Sequence, residues 1–151
     1  MTPAAFKKGL ARAWLELGFS KRGSSLRRDR ADVSVRVAFE KGFGAQWFVV
    51  VGFWLHALGA RATDRFERTH LYFRLERLVP DSRELVLTAG ALDDPAQPAA
   101  YETLVERVRG DIGSRLAGLA TEAGLREAWR ASQLAKGLVC KEAREYLESS
   151  H

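Results

Sequence analysis

The stretch VSVRVAFEKGFGAQWFVVVGFWLH, residues 33–56, decides the fold class. Val33, Val35, Val37 and Phe39 alternate with Ser34, Arg36, Ala38 and Glu40. That period of two is the mark of a strand with one buried face. Lys41-Gly42-Phe43-Gly44 reads as a turn, and Gln46 to His56 is apolar on both parities, as a central strand is. Two strands joined by so short a connection pair antiparallel, because a parallel crossover needs a helix between them. On the C-terminal side, a polar loop over Leu58–Thr69, with room for a helical turn, leads to a second alternating strand. There Leu71, Phe73 and Leu75 alternate with His70, Tyr72, Arg74 and Glu76. Pro80-Asp81-Ser82 is a turn, and Glu84–Thr88 reads as a last short strand. On the N-terminal side, Phe19–Arg28 with Gly23-Ser24-Ser25 at its middle reads as a short edge strand or hairpin.

Helical periodicity flanks these strands. Phe6, Leu10, Ala13, Trp14 and Leu17 form one stripe, with Thr2 as N-cap, Pro3 in the first turn and Gly18 as C-cap. After a linking loop over Ala89–Pro98, the positions Tyr101, Leu104, Val105, Val108, Ile112 and Leu116 form another stripe, which Gly110 and Gly113 weaken. Thr121 is placed to cap a further helix carrying Leu125 and Trp129, and Val139, Ala143 and Tyr146 continue on a compatible face. The order predicts one α+β domain over residues 1–151. It has an N-terminal helix, an antiparallel sheet of four to five strands, and two to three C-terminal helices packed on the sheet.

Composition narrows the function classes. The 151 residues are 46% hydrophobic and 28% charged, a globular mixture that excludes disorder and low complexity. The single cysteine, Cys140, excludes an internal disulfide and a cysteine-based zinc site, and its apolar surroundings suit an inert thiol. Charged residues interrupt the first eighteen positions, so no signal peptide is expected, and the longest apolar run is too short to span a membrane. A cytoplasmic protein is the expectation. Residues 1–77 hold 15 Lys and Arg against 7 Asp and Glu, whereas the remainder holds 9 against 12. A basic half of this kind suits an acidic protein partner, a nucleic acid, or simply a solvated face.

The segment Leu17-Gly18-Phe19-Ser20-Lys21-Arg22-Gly23 resembles the opening of an uncharacterised bacterial family, domain of unknown function 4304. The strand Leu71–Leu78 and the tail Lys141–Leu147 are also similar to that family's strand and closing helix. The chain departs from it in carrying Leu85-Val86-Leu87-Thr88 where the family has a Trp-rich segment. The resemblance implies an α+β fold over nearly the whole chain and supplies no mechanism.

No cofactor fingerprint, phosphate loop or nucleophile elbow is present, and His56, His70 and His151 lack metal-ligand spacing. Asp93-Asp94, set among prolines, suits a turn better than an acid/base pair. The sequence therefore leans away from an enzyme; the reading that would restore one needs His56, His70 and Arg74 around a common pocket. Two surfaces stand out. With the valines facing the helices, Arg36, Tyr72 and Arg74 share the opposite face, and Trp54 and His56 reach it from the central strand. Aromatics with arginines on a sheet suit either a protein interface or stacked nucleic acid, unless the C-terminal helices cover that face. The second surface is the basic cluster Lys21, Arg22, Arg27, Arg28 and Arg30, which suits phosphate contacts or a charge-protected sheet edge. The expectation is a non-catalytic module binding another protein, with an accessory or immunity role as its extension. Nucleic acid is the alternative partner, no membrane is expected, and self-association is left open.

Overall fold

Thr2 and Pro3 begin the first helix by the chemistry of helix ends. The Thr2 hydroxyl accepts the otherwise orphaned Ala5 amide at 3.1 Å, and Pro3 has no amide to lose. The helix α1 runs Pro3–Glu16 and ends where Gly18 takes φ +92°. The Gly18 and Phe19 amides return to the Leu15 and Trp14 carbonyls, closing the last turn. The computed structural model describes residues 1–59 and 69–149.

A meander of six antiparallel strands follows in the order β1-β2-β3-β4-β5-β6. They are β1 (Ser20–Arg22), β2 (Ser25–Asp29), β3 (Val33–Lys41), β4 (Trp47–Leu55), β5 (Leu71–Arg74) and β6 (Leu138–Val139). The helices are α2 (Leu75–Leu78), α3 (Arg83–Gly90), α4 (Gln97–Arg109), α5 (Asp111–Leu119), α6 (Glu122–Arg130) and α7 (Lys141–Glu148). The architecture is α+β as expected, with six strands among the described residues in place of four to five and four helices there after the linking loop in place of two to three. Much of the loop read over Leu58–Thr69 lies outside the described residues; its first residue ends a 3-10 turn, His56–Leu58.

Four local readings change. Glu84–Thr88, read as a strand, is the body of α3, whose buried Val86, Ala89 and Gly90 recur at helical spacing. Leu75 leaves the strand to begin α2. Val139, read as part of a helical stripe, pairs with Leu71 as β6, beside Leu138 opposite Tyr72. Gly110 does more than weaken a helix, since it separates α4 from α5.

The valines decide which face is core. Val33, Val35 and Val37 pair in the ladder with Leu55, Phe53 and Val51, and Phe73 and Leu71 continue the rows on β5. This face is buried together with Phe6, Leu10 and Trp14 of α1 and with Leu104, Val108, Ile112 and Leu116. Phe6 meets Phe39 edge-on at 5.9 Å and Tyr101 at 5.7 Å, and the Tyr101 hydroxyl donates to the Phe6 carbonyl at 2.8 Å. Buried Arg126 of α6 is satisfied by the end of α7, donating to the Tyr146 and Ser149 carbonyls at 2.7 and 2.8 Å.

Gly90 is where α3 meets β4, and a β-carbon there would overlap the Trp47 carbonyl. Gly90→Ala is therefore expected to destabilise the fold by about 1–3 kcal/mol, the usual cost of overpacking. Chemical denaturation checks this, and an unchanged midpoint would contradict the close approach.

Candidate functional site

Helices cover the valine face, so the side chains of opposite parity line the second face of the sheet. Arg36 of β3 stands opposite Gly52 of β4, and Gly52 opposite Tyr72 of β5, which puts Arg36 and Tyr72 in one row. Ala38, Val50 and Arg74 form the next row. The helices of the core cluster pack on the valine face, and on the second face two of the expected site residues are buried. Arg36 is 3% and Trp54 6% exposed.

The face divides into two stacks. At one end, the guanidinium carbons of Arg27 and Arg36 lie 4.9 and 5.7 Å from the centre of the Trp54 ring. The Arg36 Nε donates to the Ser25 hydroxyl at 2.8 Å. Nearer the β3–β4 turn, Arg74 lies 3.8 Å over the Phe48 ring, and the Tyr72 hydroxyl donates to Glu40 at 2.6 Å. Cation–π stacking of this kind uses the arginine faces and the ring faces that a nucleobase would need. Arg36 and Trp54 therefore belong to the structure's own packing, while Tyr72 and Arg74 stay half-buried.

His56 lies past the end of β4 in the 3-10 turn. Its Nε2 is 2.7 Å from the Ser34 hydroxyl, which is also 2.6 Å from an Asp29 oxygen. Burial works to raise the Asp29 carboxyl, but the Ser34 hydroxyl, Arg27 and His56 outweigh it and hold it below its ordinary value. Here the serine sits between carboxylate and imidazole. A hydroxyl that donates to a carboxylate keeps its proton, so this order does not build an activated nucleophile. His70 is buried, and its Nδ1 accepts the Leu55 amide at 2.9 Å. Arg74 stands opposite Val50, roughly 17 Å along the strand from the His56 end at 3.3 Å per residue. The three residues of the enzyme reading are not gathered around one pocket. Among the described residues no cluster of three or more metal-ligating side chains forms, and no helix is long and apolar enough to cross a membrane.

The basic cluster lies at a sheet edge. β1 is an outermost strand, exposed at all three residues. Arg22, Arg27, Arg28 and Arg30, with Ser20 and Asp29, line a groove of 450 Å³ at this edge. Arg27 is paired to Asp29 at 2.7 Å. The guanidinium of Arg28 lies over Gly18, where a β-carbon would stand 3.6 Å from its Nε. Lys21, opposite Leu26 in the ladder, belongs to the helix-covered side of the edge. The structure thus brings four of the five predicted cations to one groove.

Sequence reasoning missed a cavity of 510 Å³ among the α2–α3 connection, α4, α5 and the segment after α6. Its residues are dispersed between Glu76 and Lys136, so no motif announces it. Glu76 lines it at 4% exposure, and its Oε2 has no hydrogen-bond partner among the described residues. Burial pushes this carboxyl above its ordinary value, while its own backbone amide and Arg74, Arg77 and Arg83 oppose the rise. A raised carboxyl binds its proton more tightly in the folded chain, so the stability it lends at low pH is lost as pH rises through the folded value. Glu76→Gln should therefore be more stable than the native chain by about 1 kcal/mol at neutral pH, with the gain gone near pH 4. Denaturant melts at both pH values check this, and equal stability at neutral pH would contradict it. The fully exposed Phe43, at 99% on the β3–β4 turn, was likewise read only as part of a turn.

No family model matches the chain, and neither a curated protein nor a solved structure is similar enough to count as a match.

Proposed function

We propose that this protein is a non-catalytic binding module whose β1 edge receives an acidic, extended segment of a partner protein. The observation that carries this reading is the coincidence of an exposed outer strand with a groove lined by four arginines. An edge strand offers unpaired amides and carbonyls to an incoming strand, and flanking cations select one rich in Asp and Glu. Arg22 and Arg30 are exposed there, and among the described residues only Arg27 of the four is held by a neighbouring carboxylate in an ion pair. A protein partner is favoured over nucleic acid because Trp54 and Phe48, the aromatics of the adjacent face, are already stacked by this chain's own arginines.

Purification of the tagged chain from its native lysate, with half the sample nuclease-treated, tests the reading. A stoichiometric protein rich in acidic residues that survives nuclease is the expected result. Nuclease-sensitive absorbance at 260 nm in its place, or an empty eluate, would overturn it.

A further inference from the structure

The cavity between α2, α5 and the segment after α6 has the chemistry of a ligand site separate from the β1 edge. Five cations line it, Arg77, Arg83, Arg107, Arg115 and Lys136, against three carboxylates. Arg107 and Asp111 neutralise each other through two hydrogen bonds, at 3.0 and 2.5 Å. Arg115 is held in place by the Gln133 side chain at 2.7 Å. Arg77, Arg83 and Lys136 make no ion pair among the described residues and are exposed to solvent. Asp81 also lines the cavity, so its charge is mixed but its unpaired groups are mostly cationic.

Glu76 is the second, independent observation. It is buried at 4% exposure on the cavity wall, with one carboxyl oxygen unpartnered among the described residues. An unsatisfied buried oxygen costs stability, and a donor brought by a ligand relieves that cost. Ser132 adds a third feature. It lines the cavity at φ 58°, and its amide and that of Gln133 return to the Trp129 and Ala128 carbonyls at the end of α6. Glycine is the residue that closes such a helix end without strain. A serine there keeps a hydroxyl at the cavity rim.

We infer that this cavity binds a small phosphate monoester bearing hydroxyl groups, a phosphorylated sugar or nucleoside, with the phosphate on Arg77, Arg83 and Lys136 and a ligand hydroxyl donating to Glu76. The volume of 510 Å³ falls in the usual range for small-molecule sites and exceeds what one inorganic phosphate fills. Glu76 disfavours a bare anion and favours one that carries a donor. Charge-assisted bonds from guanidinium and ammonium supply the affinity, and the buried carboxyl supplies the choice between ester and free ion.

Calorimetric titration of the purified full-length chain with ribose 5-phosphate, AMP, inorganic phosphate and ribose tests this, at about 0.15 M salt so that weak surface contacts are screened. At least one ester is expected to bind about tenfold or more tightly than inorganic phosphate, and ribose not at all. Arg83→Ala with Lys136→Ala alters exposed side chains only, and should weaken the ester about tenfold or more without moving the melting temperature of the free protein. Glu76→Gln should shrink the preference for ester over inorganic phosphate. No heat from either ester up to about 10 mM would overturn the inference. Equal binding of inorganic phosphate that survives the double variant would overturn it too, by showing surface ion association. Neither result bears on the partner at the β1 edge, which is tested without these ligands.

Discussion

Trp54→Ala is expected to cost about 3–5 kcal/mol of folding stability, a large share of what a domain of this size possesses. The indole is 6% exposed and packs against Arg27 and Arg36 on the second face of the sheet. Removing it leaves a cavity, and it also strips the buried Arg36 guanidinium of the ring it packs on. A fall in melting temperature of roughly 10 °C follows for a chain of this length. Arg74→Ala gives the contrast, because Arg74 is half-exposed and its contact with Glu40 is a long surface pair at 3.5 Å. It should cost about 1 kcal/mol or less. Equal, small losses from both variants in thermal melts would contradict the division of the face into a buried stack and an exposed one.

Reversing charge at the β1 edge has the largest expected effect on binding. Arg22→Glu together with Arg30→Glu places two carboxylates where an acidic partner meets two cations. Each reversal replaces attraction with repulsion and is worth about tenfold, so the pair should weaken the partner's affinity about 100-fold. Both side chains are exposed, so folding stability should stay within about 0.5 kcal/mol of the native value. The native affinity should also fall as salt rises, since these charges are screened. Unchanged affinity in the double variant, measured by titration with the partner recovered from lysate, would remove the edge from the account.

Much of this fold is written in local periodicity. Val33 to Phe39 alternate because one face of β3 packs on helices, and β4 is apolar on both parities because Trp54 and Val50 are buried on the second face. The caps at Thr2, Gly18 and Thr121 are side-chain and backbone chemistry that a sequence states directly. What escaped was decided by distant contacts. Leu85-Val86-Leu87 suits a strand in isolation; it becomes helix because Val86, Ala89 and Gly90 must face the body of the fold together. β6 is two residues long and exists through its pairing with Leu71 and Tyr72. Strand parity put Arg36, Trp54, Tyr72 and Arg74 on one face, but it carries no information on exposure, which here depends on which arginine stacks on which ring. The cavity around Glu76 draws on residues some sixty positions apart in sequence, where no spacing rule applies.

The claim that the β1 edge is the partner's seat is tested most directly by amide hydrogen exchange, free and with the partner recovered from lysate. Slowed exchange at Ser20–Arg22, with the Phe43 turn and β6 unchanged, is the result predicted. Protection confined to β6 or to the Phe43 turn, with β1 exchanging as in the free chain, would contradict it.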